Sequence, residues 1–320
     1  MSPRDGLPVA GRGPVHVGID IGGTRTKVAA LDAEGAVVAT RTTPTGEDLT
    51  TRIGPFVAGL VADLAAEPAV VAAGGVRACG VVVPGIVDEA TGVAVYAANL
   101  GWRDLDIATA VAQATGLPVA VGHDVRAGLV AEARYGAAVG AADALFMPIG
   151  TGIAAAMMIE GRVVTARGWA GEIGHAVLRP GGPACGCGAS GCFEAIASAS
   201  AIAKAYAAAS GRAATAAEVA ALVEAGDPVA SGVWSAAVEV VAEVVSLIAA
   251  ATGIRLVVVG GGLANAGATL FEPLERALEA RRSIVPPPRL AAALLGDRAG
   301  SIGAAILAER AGSTVRVVEA

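Results

Sequence analysis

Aromatic residues are scarce, with Phe, Trp and Tyr together at 3% of the 320 residues, so apolar packing rests on Ala and Val. No apolar run reaches the roughly 18 uninterrupted residues a membrane span needs. The segment VVAEVVSLIAAATGIRLVVVGGG is broken by Glu243, Arg255 and glycines, and reads as a buried helix followed by a buried strand. Residues 1–14, MSPRDGLPVAGRGP, lack a long apolar core and read as a flexible leader rather than a secretory signal. There is no basic stripe, and a net charge of −6 argues against a nucleic-acid surface. Cysteine is also rare. Four residues, three of them clustered, suit a reducing cytoplasm better than a disulfide scaffold. The expectation is a cytoplasmic protein without membrane or nucleic-acid partners.

What is present is a globular composition, 54% hydrophobic and 16% charged, with 44 glycines that imply many tight turns. Residues 15–43 read as strand, glycine turn, strand, turn, strand: VHVGID, IGGT, KVAALD, AEG, AVVATRTT. The pattern recurs at ALFMPIGTG, IAAAMMI, EGR and VVTARG, which suggests an internal duplication with each copy opening a domain. Between the copies the sequence predicts a helix at 49–66, a strand in VRACGVVVPG and a loop with Asn99 and Trp102. A helix in DIATAVAQATG, the strand PVAVGHD and a helix in VRAGLVAEARYG follow. Beyond the cysteines, helices are expected at 195–210, 216–225 and 229–251, then the strand LVVVGGG, a helix at 269–280, the strand LAAALLG and a terminal helix after Gly300. Alternating strands and helices predict an α/β architecture of two lobes. Residues 15–121 with a C-terminal helix at about 300–320 would form a small α/β domain, and 122–299 a large one.

Three stretches carry chemistry. In DIGGTRTK the glycines let backbone N–H groups approach an anion, Thr24 and Thr26 add hydroxyls, and Asp20 is placed to hold Mg²⁺ through water. The same residues equally fit an ordinary hairpin turn. GTG at 150–152 and VVVGGGLA at 257–264 are further glycine turns, and the three together point to a nucleotide held between lobes, although no GxGxxG fingerprint is present. The stretch GEIGHAVLRPGGPACGCGASGC gathers His175, Cys185, Cys187 and Cys192, a full tetrahedral set for a structural zinc with no position left for water. The competing reading is a core histidine beside unligated thiols. Glu172 and Glu194 flank that set, either as solvent-facing charges or as acceptors for sugar hydroxyls held by a rigid loop. Asp124 lies where a buried strand meets a helix, as a simple cap or as a base taking the proton of an attacking hydroxyl. Cys79 and Trp102 read as packing residues.

DIGGTRTK, GVVVPGIVD, PIGTGIAAA, GEIGH, CGCGASGC with FEAIAS, and VVVGGGL, in that order, resemble the ROK family (repressors, uncharacterised frames, sugar kinases) from residue 15 to about 310. The resemblance implies a two-lobed actin-like ATPase fold of the ribonuclease H-like type, with duplicated domains and a zinc-pinned loop. It implies ATP phosphates on Gly22, Gly23, Thr24, Thr151 and Gly152, and adenosine by Gly261 and Gly262, with Asp20 and Lys27 counted among the cofactor-binding residues. Asp124 matches the family's catalytic aspartate. Gly85, Asn99, His123, Asp124, Glu172, His175 and Glu194 match positions around the sugar, and His175 also serves the zinc. Where the family reads Glu-Asn-Asp-Ala-Asn, this chain has Gly122-His123-Asp124-Val125-Arg126, with His123 in place of a sugar-binding asparagine.

The expected activity is ATP- and Mg²⁺-dependent phosphorylation of the 6-hydroxyl of a hexose or N-acetylhexosamine, with N-acetylglucosamine just ahead of glucose because of the altered Gly122-His123 pair. Sugar binding is expected to close the lobes, and a homodimer is implied by the resemblance. The alternatives are a sugar-responsive regulator, which needs a DNA-binding segment ahead of the first hairpin, and a non-catalytic sugar-binding protein.

Overall fold

The structure, a computed structural model, describes residues 13–46 and 48–314. Residues 1–12 of the expected leader lie outside the described residues. Packing divides the chain into two compact units. The first holds the chain up to Ala131, Thr165–Trp169 and everything from Asp297; the second holds Glu132–Val164 and Ala170–Gly296. The sequence placed its boundary at 121/122, ahead of the helix in which the packing changes over.

The first unit is built on β1 (Val15–Ile21), β2 (Arg25–Leu31), β3 (Val37–Pro44), β4 (Val76–Val83) and β8 (Val119–His123), in the order β3-β2-β1-β4-β8. The β1–β2 and β2–β3 pairs are antiparallel; β1–β4 and β4–β8 are parallel. Strands covered on both faces lose polar alternation, and VHVGIDI is accordingly almost wholly buried. Helices α1 (Leu49–Ala65) and α3 (Ile107–Thr115) pack together, and α1 buries Ile53, Val57, Leu60 and Leu64 in the same core as Val17 and Ile19. Asp106 caps α3 by accepting from Thr109 N at 2.9 Å, and Gly116 at φ 69° ends it. A short helix, α2 (Pro68–Ala72), opens with proline. Where the sequence suggested a loop, β5 (Ile86–Asp88), β6 (Val93–Ala97) and β7 (Trp102–Asp106) form an antiparallel three-stranded sheet. Trp102 is 1% exposed in the core, the packing role expected of it. Helix α4 (Asp124–Tyr135) follows β8 directly.

The second unit repeats the plan. Its sheet runs β11-β10-β9-β12-β13, from β9 (Ala144–Pro148), β10 (Ala156–Ile159), β11 (Arg162–Val163), β12 (Leu256–Gly260) and β13 (Arg289–Ala292). Two antiparallel pairs are again followed by two parallel pairs, which bears out the duplication read from the glycine hairpins. The helix expected at 195–210 is two, α5 (Phe193–Ala197) and α6 (Ala199–Ser210). Ser198 separates them with an extended backbone and caps α6 by accepting from Ala201 N at 3.1 Å. Helix α7 (Ala216–Glu224) starts on a Thr215–Glu218 capping box, and α8 (Pro228–Thr252) on Asp227 with proline at its first position. By length and apolar composition α8 could cross a membrane, but Trp234, Val238, Val241 and Val245 are buried in this unit's core, and half of the apolar window is covered. Helix α9 (Ala268–Ala280) contains Pro273, which cannot bond the Thr269 carbonyl; Trp234 Nε1 donates to that oxygen instead, at 2.9 Å.

The chain returns to the first unit with α10 (Ala299–Thr314), which packs on β1, β4 and β8. A Cβ at Gly18 would lie 2.0 Å from Ser301 O, and one at Gly80 1.9 Å from Ala304 O. Helix backbone thus rests on strand backbone, a spacing only glycine permits.

Candidate functional site

In the first unit the chemistry-bearing residues sit at the C-terminal ends of parallel strands. Asp20 is near the end of β1, Gly85 follows β4, and Asp124 follows β8. Ligands of open α/β sheets bind at such ends. Between β1 and β2 the chain turns through Gly22, Gly23 and Thr24, with Gly22 N donating to Arg25 O at 3.1 Å and Gly23 and Thr24 exposed. The turn is tied from behind by Thr45, 2% exposed: its hydroxyl donates to Gly22 O at 2.7 Å, its N–H to Thr24 O at 3.0 Å, and Thr26 Oγ1 is 3.0 Å away. Asn99 is exposed beside it; a Cβ on Gly23 would meet its carbonyl oxygen at 3.6 Å. Gly85 has φ 95°, and a Cβ there would strike Tyr96 O at 2.2 Å.

Asp20 is half-buried in a carboxylate-rich setting. Burial is the main force raising its pKa from 3.8 to about 7, assisted by Asp124 and Asp297 and opposed by Lys27. Lys27 Nζ stands 3.5 Å from Asp297 Oδ2. Gly300, at the start of α10, leaves room for the Asp20 carboxylate: a Cβ there would be 2.4 Å from Oδ2. A carboxylate that resists ionising by itself and faces a second one suits a site completed by a cation.

Asp124 is the first residue of α4, and its Oδ1 accepts from Val125 N at 2.6 Å, so the cap reading holds in part. The ring of His123 is not presented at the surface. It is 3% exposed, and Nδ1 accepts from Val125 N at 3.2 Å and Arg126 N at 3.4 Å, which makes His123 a cap for the same helix. Sequence reasoning did not single out Arg126 or Glu89. Arg126 is 2% exposed, with Nε 2.7 Å from Glu89 Oε1. The signal available was the replacement of the family asparagine by arginine two residues beyond Asp124.

The second unit holds the other candidates, again beyond strand ends. Thr151 is exposed in a turn where Gly150 N donates to Gly152 O at 2.9 Å. Glu194 Oε2 accepts from Ile153 N at 2.9 Å, and a Cβ on Gly152 would come within 2.4 Å of that oxygen. Gly261, at φ 75°, would place a Cβ 2.4 Å from Ile149 O, so the turns after β9 and β12 lie side by side. A cavity of about 590 Å³ is lined by Thr151, Cys185, Glu194, Ser198, Ser200 and Lys204 among others. Gly262 lines a separate recess of about 190 Å³ with Trp234 and Asn265.

The ligand atoms of His175, Cys185, Cys187 and Cys192 all lie within 4.8 Å of one another. His175 Nδ1 is 3.6 Å from Cys185 Sγ, and Cys187 Sγ is 3.6 Å from Cys192 Sγ. Tetrahedral zinc with bonds of about 2.3 Å to sulfur and 2.0–2.1 Å to nitrogen has edges of roughly 3.5–3.8 Å, so the set fits the ion. Burial pushes the Cys192 thiol up to about 12, whereas the hydrogen bond from the Ala189 backbone holds Cys187 below the usual thiol range. Cys185 N–Ala189 O at 2.8 Å and Gly191 N–Pro183 O at 2.7 Å fold the loop on itself. With Nδ1 facing the thiols, His175 Nε2 is 4.0 Å from Glu172 Oε2, an arrangement in which the second ring nitrogen and a carboxylate face the same side. Gly174 lies against Ile153 O, where a Cβ would come within 2.0 Å, so this turn is packed onto the segment that Glu194 bonds.

Among curated proteins, a glucokinase from Halalkalibacterium halodurans is 30% identical over 311 residues, 90% of this chain and 93% of that protein. An N-acetylmannosamine kinase from Escherichia fergusonii is 34% identical over 259 residues, 79% of this chain and 86% of the relative. Among solved structures, a ROK family glucokinase from Streptomyces griseus in complex with glucose and AMPPNP superposes with a TM-score of 0.76 at 28% identity, covering 92% of this chain and 99% of that one. The ROK family model matches residues 16–311, and with the duplicated sheets and the glycine turns at their strand ends, this chain belongs to the ROK family.

Proposed function

We propose that the protein is a sugar kinase that transfers the γ-phosphoryl group of ATP to the 6-hydroxyl of a hexose. The observation that carries the reading is the grouping of Asp124, Asp20 and the glycine turn at the C-terminal strand ends of one sheet, in a family that contains kinases. In this reading Asp124 accepts the proton of the 6-hydroxyl while its oxygen bonds to the γ-phosphorus and the bond to the β-phosphate oxygen breaks, releasing ADP. N–H groups and hydroxyls of Gly22, Gly23, Thr24, Thr151 and Gly152 hold the phosphates. Asp20 would hold a Mg²⁺ whose charge would offset that of the phosphate oxygens, and Lys27 pairs with Asp20 across β1 and β2. Gly261 and Gly262 lie by the adenosine, where Gly262 lines the recess of about 190 Å³ with Trp234 and Asn265.

Glu172, His175 and Glu194 accept and donate hydrogen bonds to sugar hydroxyls, with Asn99 and the Gly85 turn supplying the remainder. His175, Cys185, Cys187 and Cys192 would hold a zinc ion, which with four protein ligands would brace the loop instead of joining the chemistry. N-acetylglucosamine is favoured by the altered Gly122-His123 pair, whose imidazole is buried and caps α4. An N-acetylhexosamine acceptor stays as the second reading because of the N-acetylmannosamine kinase relative. A coupled assay of ADP release across glucose, mannose, fructose and the N-acetylated amino sugars tests both. Turnover highest on glucose or mannose supports the first, highest on an N-acetylated sugar the second, and no sugar-dependent release rejects the kinase reading.

A further inference from the structure

Arg126 has a buried guanidinium, 2% exposed, that bonds three residues in two separate segments of the first unit. Its Nε donates to Glu89 Oε1 at 2.7 Å, one terminal nitrogen to Val87 O at 3.4 Å and the other to Gly168 O at 3.4 Å. Glu89 Oε1 also accepts from His123 N at 3.4 Å, so the same carboxylate reaches the residue immediately before Asp124. His123, Asp124 and Arg126 lie within four residues at one helix start, whose N–H groups are taken up by the His123 ring and the Asp124 carboxylate. A buried charge with a bidentate-capable fork fixes orientation better than a lysine or an amide would.

The third partner is the telling one. Residues Thr165–Trp169 visit the first unit and then run, three residues later, into Glu172. Ala166 at φ 44° and Arg167 at φ 56° are consecutive non-glycine residues in the left-handed region. Such a pair is strained and persists only where its surroundings hold it. What holds it is visible: Gly168 sits so close to β5 that a Cβ would lie 2.4 Å from Val87 O, and its own carbonyl is bonded by Arg126. Arg126 therefore secures both the start of the helix that offers Asp124 and the strained segment from which the Glu172 turn departs.

We infer that Arg126, held by Glu89, is a positioning residue for phosphoryl transfer that fixes Asp124 together with the segment Thr165–Trp169. The inference rests on the kinase reading above. It is tested with R126K, R126M, E89A and the double variant E89A/R126M in full-length protein, alongside E89Q, which keeps the accepting oxygen.

The expected result for R126K and R126M is a kcat lowered about 30-fold or more and a raised sugar KM, with the ATP KM within about twofold of the parent. E89A should lower kcat comparably. The double variant should lose little beyond the worse single one, the non-additivity of residues acting together. E89Q should stay within about fivefold. Hydrogen–deuterium exchange in R126K should speed up in the peptide covering 165–172, a change that a loss of general stability would spread over the whole unit. If R126M does not fold, R126K and the exchange measurement decide the matter. Parent-like kcat in folded R126K, or unchanged exchange at 165–172, overturns the inference. An inactive parent protein would instead reject the kinase reading, and the exchange result would still judge the structural tie.

Discussion

Two glycines in the first unit should respond to alanine with opposite signs. Gly80 lies in β4 under α10, and a Cβ there would sit 1.9 Å from Ala304 O and 2.7 Å from Ala304 C. Ordinary contact begins near 3.4 Å, so helix and strand must separate by about 1.5 Å. The obstacle is backbone and cannot swing aside. Separation strips packing from Ile302, Ala304, Ala305, Ile306 and Ala308, all under 5% exposed, and overpacking of this kind costs about 3 kcal/mol or more. Gly59, on the exposed side of α1, has nothing within 4 Å of an added Cβ and no positive φ. Alanine there should stabilise by about 0.5–1 kcal/mol through helix propensity. For a unit of this size each kcal/mol moves the midpoint by about 2–4 °C. Calorimetry should therefore show the first unit's transition falling by roughly 6–12 °C in G80A and rising by a few degrees at most in G59A. Because Gly300 on the same helix shelters Asp20, G80A should also raise the ATP KM. A G80A protein as stable as the parent would show that α10 does not rest on the sheet as described, and a destabilised G59A would refute the contact reasoning itself.

D124N should keep sugar binding, measured by calorimetric titration, while kcat falls about 10²–10⁴-fold; near-parent turnover would remove Asp124 from the chemistry. C187S should lower bound zinc below one ion per chain by metal analysis, reduce thermal stability and weaken sugar affinity, because a vacated ligand position unlocks the loop that leads to Glu194. Unchanged zinc content would refute the ligand assignment. Asp20, with its pKa raised to about 7, favours the protonated folded state, so its contribution to stability is complete below about pH 4 and is lost as pH rises through about 7. Urea unfolding without Mg²⁺ from pH 4 to 8 should show the parent losing stability relative to D20N, by up to about 4 kcal/mol on the full shift; parallel curves would refute that shift.

The doubling of strand, glycine turn and strand was legible because glycine turns and alternating runs are local signals, and the two sheets repeat each other in order and direction. The metal set was legible from composition alone, since three thiols and an imidazole crowd one stretch of a chain poor in both. The sheet of β5, β6 and β7 was not. Its strands are short, and Tyr96 points outward at 42% exposure, so no run of buried residues announces them. The break between α5 and α6 depends on one serine in an otherwise helical stretch of alanines, and only its extended backbone and cap bond disclose it. His123 shows a different shortfall. Sequence identifies the residue but not which way its ring turns, and the helix N–H groups claimed it. Arg126 and Glu89 meet across 37 residues, a distance at which charge pattern carries no information.

The return of the chain to its first sheet with α10 has a consequence for biosynthesis. Gly18 and Gly80 emerge from the ribosome well before the surface that covers them, which is made of residues 299–314. The opening sheet must wait with one face bare while the segment from 132 to 296 completes its own sheet, so nascent chains halted before residue 299 should depend on chaperones and fall to proteases in the part that was made first.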